Sequence, residues 1–254
     1  MRNDFDRDGV VLLRDIIRAD VIDAVREEYE SITALSDIIP KHEPIVVYWT
    51  HVPGMRKKIV RMRDMPIMGL FCHFCADIAR PFGEGDLRLL ETIIFNKPPH
   101  TGTKLNWHQD VSYFPFEPNN QIALWIPFDP VTKENGAMHY ALGTHQFGLR
   151  ASTDLHSGKV FTGEERDEIP DDPAAVGYEV RCMEMQPGDV LVHHGRTWHY
   201  SGPNTTAIPR RGLSLRFLVG DTYYKPRAGS AAAFIKQIDI QPGDRINDPA
   251  FPVL

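Results

Sequence analysis

From Leu87 onward the chain is a succession of short apolar runs cut by turn formers, and that rhythm restricts its fold more than any other feature. Leu87–Phe95, Gln121–Phe128, Ala137–Leu142, Tyr178–Met185, Asp189–His194 and Gly212–Gly220 are runs of strand length and strand composition. Between them lie Lys97-Pro-Pro, Glu134-Asn-Gly, Gln186-Pro-Gly-Asp and Ser201-Gly-Pro-Asn, whose prolines preset φ and whose glycines accept positive φ. Many short strands so spaced fold as a sandwich or barrel. The first third differs. Gly9–Leu13 and Ile45–Trp49 read as strands, and Val21, Ile22, Val25, Tyr29 and Ile32 share one face of a helix predicted over Ala19–Leu35. Ile67, Leu70, Phe71, Phe74, Cys75 and Ile78 mark a second helix, stopped by Pro81 and Gly83. The expected fold is therefore mainly β with flanking helices, in a single domain covering 1–254, large enough to bury its own core.

Charge and composition exclude several classes. With 28 basic and 34 acidic residues the net charge is −6, so no polyanion such as nucleic acid is expected as partner. No apolar run approaches the length of a membrane span, and the opening Met1-Arg-Asn-Asp-Phe-Asp-Arg-Asp has no apolar stretch of the secretory kind. A cytoplasmic location is the expectation. Cys72, Cys75 and Cys182 cannot form an even disulfide set, and Cys75 sits on the apolar stripe of the second helix, which assigns it to packing.

The chemistry concentrates in Asn106-Trp107-His108-Gln109-Asp110. A histidine and an aspartate two apart lie on one face of an extended segment, where both can reach one metal. With a further histidine they make a two-His, one-carboxylate facial set that leaves coordination positions open, the arrangement of non-haem Fe(II) oxygenases. Alone the triplet could equally be a solvated loop pair. Downstream, however, stand His199, before the turn residues Ser201-Gly202-Pro203-Asn204, and Arg210, eleven residues after it. A planar guanidinium holds a carboxylate through two parallel hydrogen bonds, and 2-oxoglutarate offers one at C5.

With these residues the sequence resembles the phytanoyl-CoA dioxygenase family of Fe(II)- and 2-oxoglutarate-dependent oxygenases. The resemblance runs from Phe5 to Pro252 and is densest in Ile94-Phe-Asn-Lys-Pro-Pro99, Trp107–Phe116 and His199–Phe217. It implies a double-stranded β-helix core of jelly-roll or cupin-like form. It also implies iron ligation by His108, Asp110 and His199, a C5-carboxylate anchor at Arg210 helped by the Ser201 hydroxyl, and cavity contacts from Asn96 and Trp125. The implied cofactors are Fe(II), 2-oxoglutarate and O2. The implied reaction is hydroxylation of an unactivated C–H bond in a small molecule, with release of succinate and CO2. Relatives that halogenate lack the carboxylate at the position of Asp110, so its presence favours oxygenation.

Neighbouring residues carry plainer readings. Trp125 lies among Ile122, Leu124 and Ile126 and could be core, and Lys97 is either a further contact or a solvated turn residue. His193 and His194, just before Gly195, are read as turn residues, and His145 as structural. Arg211 and Arg216 compete with Arg210, though the spacing favours Arg210. Arg56, Lys57, Lys58, Arg61 and Arg63 form a basic cluster, read as a solvated edge or as a partner for an anionic group on the substrate. Lys41–Arg63, Val111–Asn120 and Gly148–Asp172 are the loops expected to select the substrate. Two rivals remain open: a cupin-type metalloenzyme that needs no oxoglutarate, and a non-catalytic sensing or binding barrel.

Overall fold

The computed structural model describes residues 1–35, 66–100, 102, 104–227, 239–247, 249 and 251–254. The strand expected at Ile45–Trp49, the side chain of Ile32, the basic cluster from Arg56 to Arg63 and the loop Lys41–Arg63 lie outside the described residues. Two antiparallel sheets provide the frame. The larger holds β1 (Val10–Leu13), β8 (Val190–His194), β5 (Gln121–Pro127), β10 (Arg210–Val219) and β2 (Leu87–Lys97), side by side in that order. The smaller runs β3 (Leu105–His108), β9 (His199–Ser201), β6 (Met138–Ala141) and β7 (Val180–Met183). A short ribbon pairs β4 (Phe116–Glu117) with β11 (Tyr223–Tyr224). This is the expected jelly-roll arrangement, and each strand-length run from Leu87 onward contains a strand.

Strand alternation separates two environments on the large sheet. Leu124, Ile126, Val190, Val192, Leu213, Leu215 and Phe217 point outward and pack with the helices α1 (Arg2–Asp8), α2 (Ala19–Leu35) and α3 (Pro66–Ala79) into the main core. The inward face meets the small sheet, where Trp125, Val131, Tyr140, Met183 and Leu191 form a second cluster. Burying both faces explains why β5 is buried along its whole length and why its sequence shows no polar alternation.

The helices depart from expectation in instructive ways. In α2, Ile22, Val25 and Tyr29 are buried as their spacing predicts. In α3 the buried face is Met68, Phe71, Cys72, Cys75, Ala76 and Ala79, while Leu70 is 75% exposed and Ile67 and Phe74 are exposed too. The period is the predicted one, but the stripe is rotated by one residue. A helix apolar on nearly every side offers several stripes of equal spacing, and only the facing sheet chooses among them. The short α1 was not anticipated. One apolar residue holds it: Phe5 is buried against Phe82 with ring centroids 5.0 Å apart. Gly9 then ends it at φ 75°, where a Cβ would lie 2.4 Å from His145 Nδ1. No helix among the described residues is long and apolar enough to cross a membrane.

Candidate metal and co-substrate site

The small sheet brings two distant histidines together. β3 and β9 pair antiparallel with His108 opposite His199, so both imidazoles leave the same face, toward the large sheet. Each ring is oriented from behind. His108 Nδ1 lies 2.7 Å from the Asn106 carbonyl and His199 Nδ1 lies 2.9 Å from that of Thr197. With Nδ1–H donating backward, the Nε2 lone pairs face the cavity, the tautomer that metal ligation requires. Directly after β3 a short 3-10 turn, Asp110–Tyr113, swings Asp110 back over them. Its Oδ1 lies 4.0 Å from His108 Nε2 and 3.6 Å from His199 Nε2.

These three residues are the one such group found among the described residues, with ligand atoms all within 4.8 Å of one another and all three buried. The donor set fits a divalent cation. Facial ligands about 2 Å from an ion lie roughly 3 Å apart, so an ion would draw these atoms in slightly from their separations of 3.6 and 4.0 Å, and two nitrogens with one carboxylate suit non-haem iron. Burial pushes the pKa of His108 and of His199 down, which favours the neutral form that ligates a metal. Burial opposes ionisation of Asp110, but the adjacent His199 and the His193 hydrogen bond prevail and hold its carboxyl below the usual range.

The other end of the cavity is built by β10 and β9. Arg210 is buried and donates from Nη2 to the Gly136 carbonyl at 2.5 Å and to Ser201 Oγ at 2.8 Å. Its guanidinium lies 5.0 Å from the Trp125 ring centroid. Its Nε is buried without a partner, and none of the ion pairs among the described residues gives it a carboxylate. Burial lowers its pKa to about 10. A buried guanidinium satisfied only by a carbonyl and a hydroxyl is costly until an anion arrives. Lys97 is also buried, donating to the Ser201 and Gly202 carbonyls, and burial followed by the charge of Arg210 lowers its pKa to about 6. It is not a solvated turn residue.

The cavity between these ends is lined by Phe95, Leu105, Trp125, Met138, Ser214 and Arg216 besides the residues above. Trp125 thus faces inward, unlike its apolar neighbours. Among the arginines, Arg211 points outward and is held by Asp129 and Glu30, as alternation along β10 requires. Arg216 faces inward, on the same side as Ser214, but at the metal end.

Two expectations change. Asn96 lies between the lining residues Phe95 and Lys97 and opposite Arg211, so its side chain leaves β2 on the outward face. It is replaced in the cavity by its two neighbours. His193 is no turn residue: it is buried on β8, with Nε2 3.0 Å from Asp110 Oδ2 and Nδ1 3.1 Å from the Tyr140 hydroxyl. The parity of Leu191 and His193 was the available signal, since His194 alternates to the outward side. His145 is structural as expected, with Nε2 3.2 Å from the Asp6 carbonyl.

Known proteins give a concordant comparison. The family model for phytanoyl-CoA dioxygenase (PhyH) matches residues 5–212. A probable alpha-ketoglutarate-dependent hypophosphite dioxygenase of Stutzerimonas stutzeri is 31% identical over 147 residues, 58% of this chain and 50% of that protein. The match therefore spans half the length of that relative. The peroxisomal phytanoyl-CoA dioxygenase of Homo sapiens is 24% identical over 93% of this chain and 72% of its own. Among solved structures, the non-heme alpha ketoglutarate dependent carbocyclase SnoK from nogalamycin biosynthesis superposes with a TM-score of 0.77 at 19% identity, covering 99% of this chain and 94% of that one. The epimerase SnoN, solved with Fe3+, alpha ketoglutarate and nogalamycin RO, superposes with a TM-score of 0.74 at 19% identity over 99% and 96% of the two chains.

Proposed function

The chain belongs to the phytanoyl-CoA dioxygenase family of Fe(II)- and 2-oxoglutarate-dependent oxygenases, and on that premise we propose that the cavity between its sheets is the oxygenase active site. His108, Asp110 and His199 hold the iron, and Arg210 with Ser201 holds the C5 carboxylate of 2-oxoglutarate. The substrate is a small molecule handled in the cytoplasm by one domain spanning 1–254. The observation that carries this reading is the pairing, in one buried cavity, of a neutral two-histidine, one-carboxylate set with an arginine that lacks an anion. Bound iron supplies activation of O2 at the expense of 2-oxoglutarate, which leaves as succinate and CO2 while one oxygen atom enters a substrate C–H bond.

The protein's part is position and exclusion of water. The His108 and His199 rings are fixed by their carbonyl partners, so their Nε2 atoms face the cavity, where they would hold the iron. Trp125 covers the Arg210 end and strengthens the charge interaction there by keeping water out. On the His108 side, the Tyr113 ring lies 6.2 Å from that imidazole, and its hydroxyl donates to the Thr153 carbonyl at 2.8 Å. This bond ties the segment 148–172 to the His108 side of the site and supports taking it, together with Val111–Asn120, as the loops that read the substrate.

Gly212 tests the co-substrate end. It sits under the indole, where an added Cβ would lie 2.3 Å from Trp125 Cζ2. Overpacking of that order costs about 1–3 kcal/mol. Gly212→Ala is expected to push Trp125 toward the arginine and raise the KM for 2-oxoglutarate roughly 5-fold or more, with metal affinity unchanged. An unaltered KM would place the co-substrate elsewhere.

The class itself is tested by succinate formation from 2-oxoglutarate in anaerobically iron-loaded protein on admitting air, with and without a metabolite extract. Turnover above an iron-free control, rising with the extract, is expected. Iron binding without any oxoglutarate binding would instead favour a cupin-type enzyme.

A further inference from the structure

Asp110 is held from two sides by the large sheet, and the register shows how. Across its inward face, His193 on β8 stands opposite Ala123 on β5, Ala123 opposite Arg216 on β10, and Arg216 opposite Glu91 on β2. The alanine is the one small member of this row and leaves space between His193 and Arg216. Asp110 uses it: Oδ2 lies 3.0 Å from His193 Nε2, and Arg216 Nη2 donates to Oδ1 at 2.7 Å. The other end of the guanidinium, Nη1, donates to Glu91 Oε1. Glu91 is fully buried, and its second oxygen has no partner.

That carboxylate is expensive where it stands, because a buried charge is tolerated only when paired. Its partner is Arg216, and packing alone gives no reason for a Glu at this fully buried point of β2. The charge count supplies one. Arg216 by itself would cancel the charge of Asp110 and compete with a metal for Oδ1. Two carboxylates against one guanidinium leave the cluster one negative charge in excess, which keeps it attractive to a divalent cation. The guanidinium, pinned at Nη1, is then free to act on geometry: it fixes the carboxylate plane with Oδ1 toward the two Nε2 atoms.

We propose that the buried Glu91–Arg216 pair is the positioning device of the metal centre, presetting Asp110 Oδ1 between His108 and His199 before metal binds. This rests on the assignment of His108, Asp110 and His199 as ligands. Neither Glu91 nor Arg216 belongs to the ligand set; both act on it through Asp110. The Arg216–Glu91 pair closes the unbroken register that starts at Arg210 and Lys97; the ladder shifts just after it, with Phe217 opposite Leu89.

Charge alone and positioning predict opposite signs, which makes the idea testable with Co(II) as a visible probe under anaerobic conditions. Arg216→Met removes a cation beside a dication site, so by charge alone cobalt would bind more tightly. Loss of positioning is instead expected to weaken binding about 10–100-fold, the range for residues that orient metal ligands, and to change the ligand-field bands. Arg216→Lys keeps the charge but cannot bridge two carboxylates. It is expected to weaken binding and shift the bands as well, and it reports on the idea if Arg216→Met does not fold. Melting temperatures of both variants, measured without metal, separate these effects from loss of the fold. Binding as tight as wild type with unchanged bands in a folded variant overturns the proposal. Failure of the wild-type protein to bind cobalt, or binding undiminished by His199→Ala, overturns the ligand assignment as well.

Discussion

Asp110→Ala protein is expected to lose 2-oxoglutarate turnover to background and to bind Fe(II) more than about 100-fold more weakly, beyond the ~10–100-fold typical of residues that merely support a ligand. The reason is double. The variant removes the single anionic donor of the set, whose oxygen lies 3.6 and 4.0 Å from the two Nε2 atoms. It also leaves Arg216 and Glu91 behind without the group they hold, so a cation now faces the site with no carboxylate between. His199→Ala should be as damaging to binding while leaving that ion pair intact. The two variants are therefore compared in metal titrations under anaerobic conditions alongside succinate assays. Wild-type oxoglutarate consumption by either one would remove that residue from the ligand set.

The second large effect belongs to Arg210→Ala. Truncating one partner of a buried, hydrogen-bonded charge pair costs about 2–5 kcal/mol, much of it the penalty on the charge left unpaired. The KM for 2-oxoglutarate should then rise at least about 30-fold. Metal affinity should stay near that of the parent, because Arg210 makes its contacts to Gly136 and Ser201 at the far end of the cavity. Arg211→Ala is the control: its guanidinium is held by Asp129 and Glu30 on the helix side, so its KM for oxoglutarate should not change. Equal effects from the two arginines would contradict the inward placement of Arg210.

Much of this arrangement was legible before any coordinates. Strand-length runs divided by Pro/Gly turns located β2, β5, β6, β7, β8 and β10, because turn chemistry is local and does not depend on the fold around it, but not the short β3, β4, β9 and β11. His108 and Asp110 could be singled out by their two-residue spacing, though a 3-10 turn rather than a continuing strand brings them together; His199, Ser201 and Arg210 took their roles from the resemblance to the dioxygenase family. The face of a residue on a strand buried on both sides was harder. β5 is apolar on either side, so Trp125 could be cavity or core until the small sheet was seen to cover it. Asn96 was misjudged for the same reason: a shift of one residue in strand parity moves a side chain from the cavity to the helices. Helix α3 shows the same limit with a different period, since its stripe was placed one residue off. His193 differs, since it was read as a turn residue before Gly195 while β8 continues through His194. Glu91 carried no local signal at all. Its partner is 125 positions away, and only the ladder between β2 and β10 brings the two together.

The most direct test of the account is an anomalous-scattering map from crystals grown anaerobically with Mn(II) and 2-oxoglutarate. A single strong peak bounded by His108 Nε2, His199 Nε2 and Asp110 Oδ1, with the C5 carboxylate against Arg210 and Ser201, is the predicted result. Metal bound away from these three atoms, or oxoglutarate density that avoids Arg210, would contradict it.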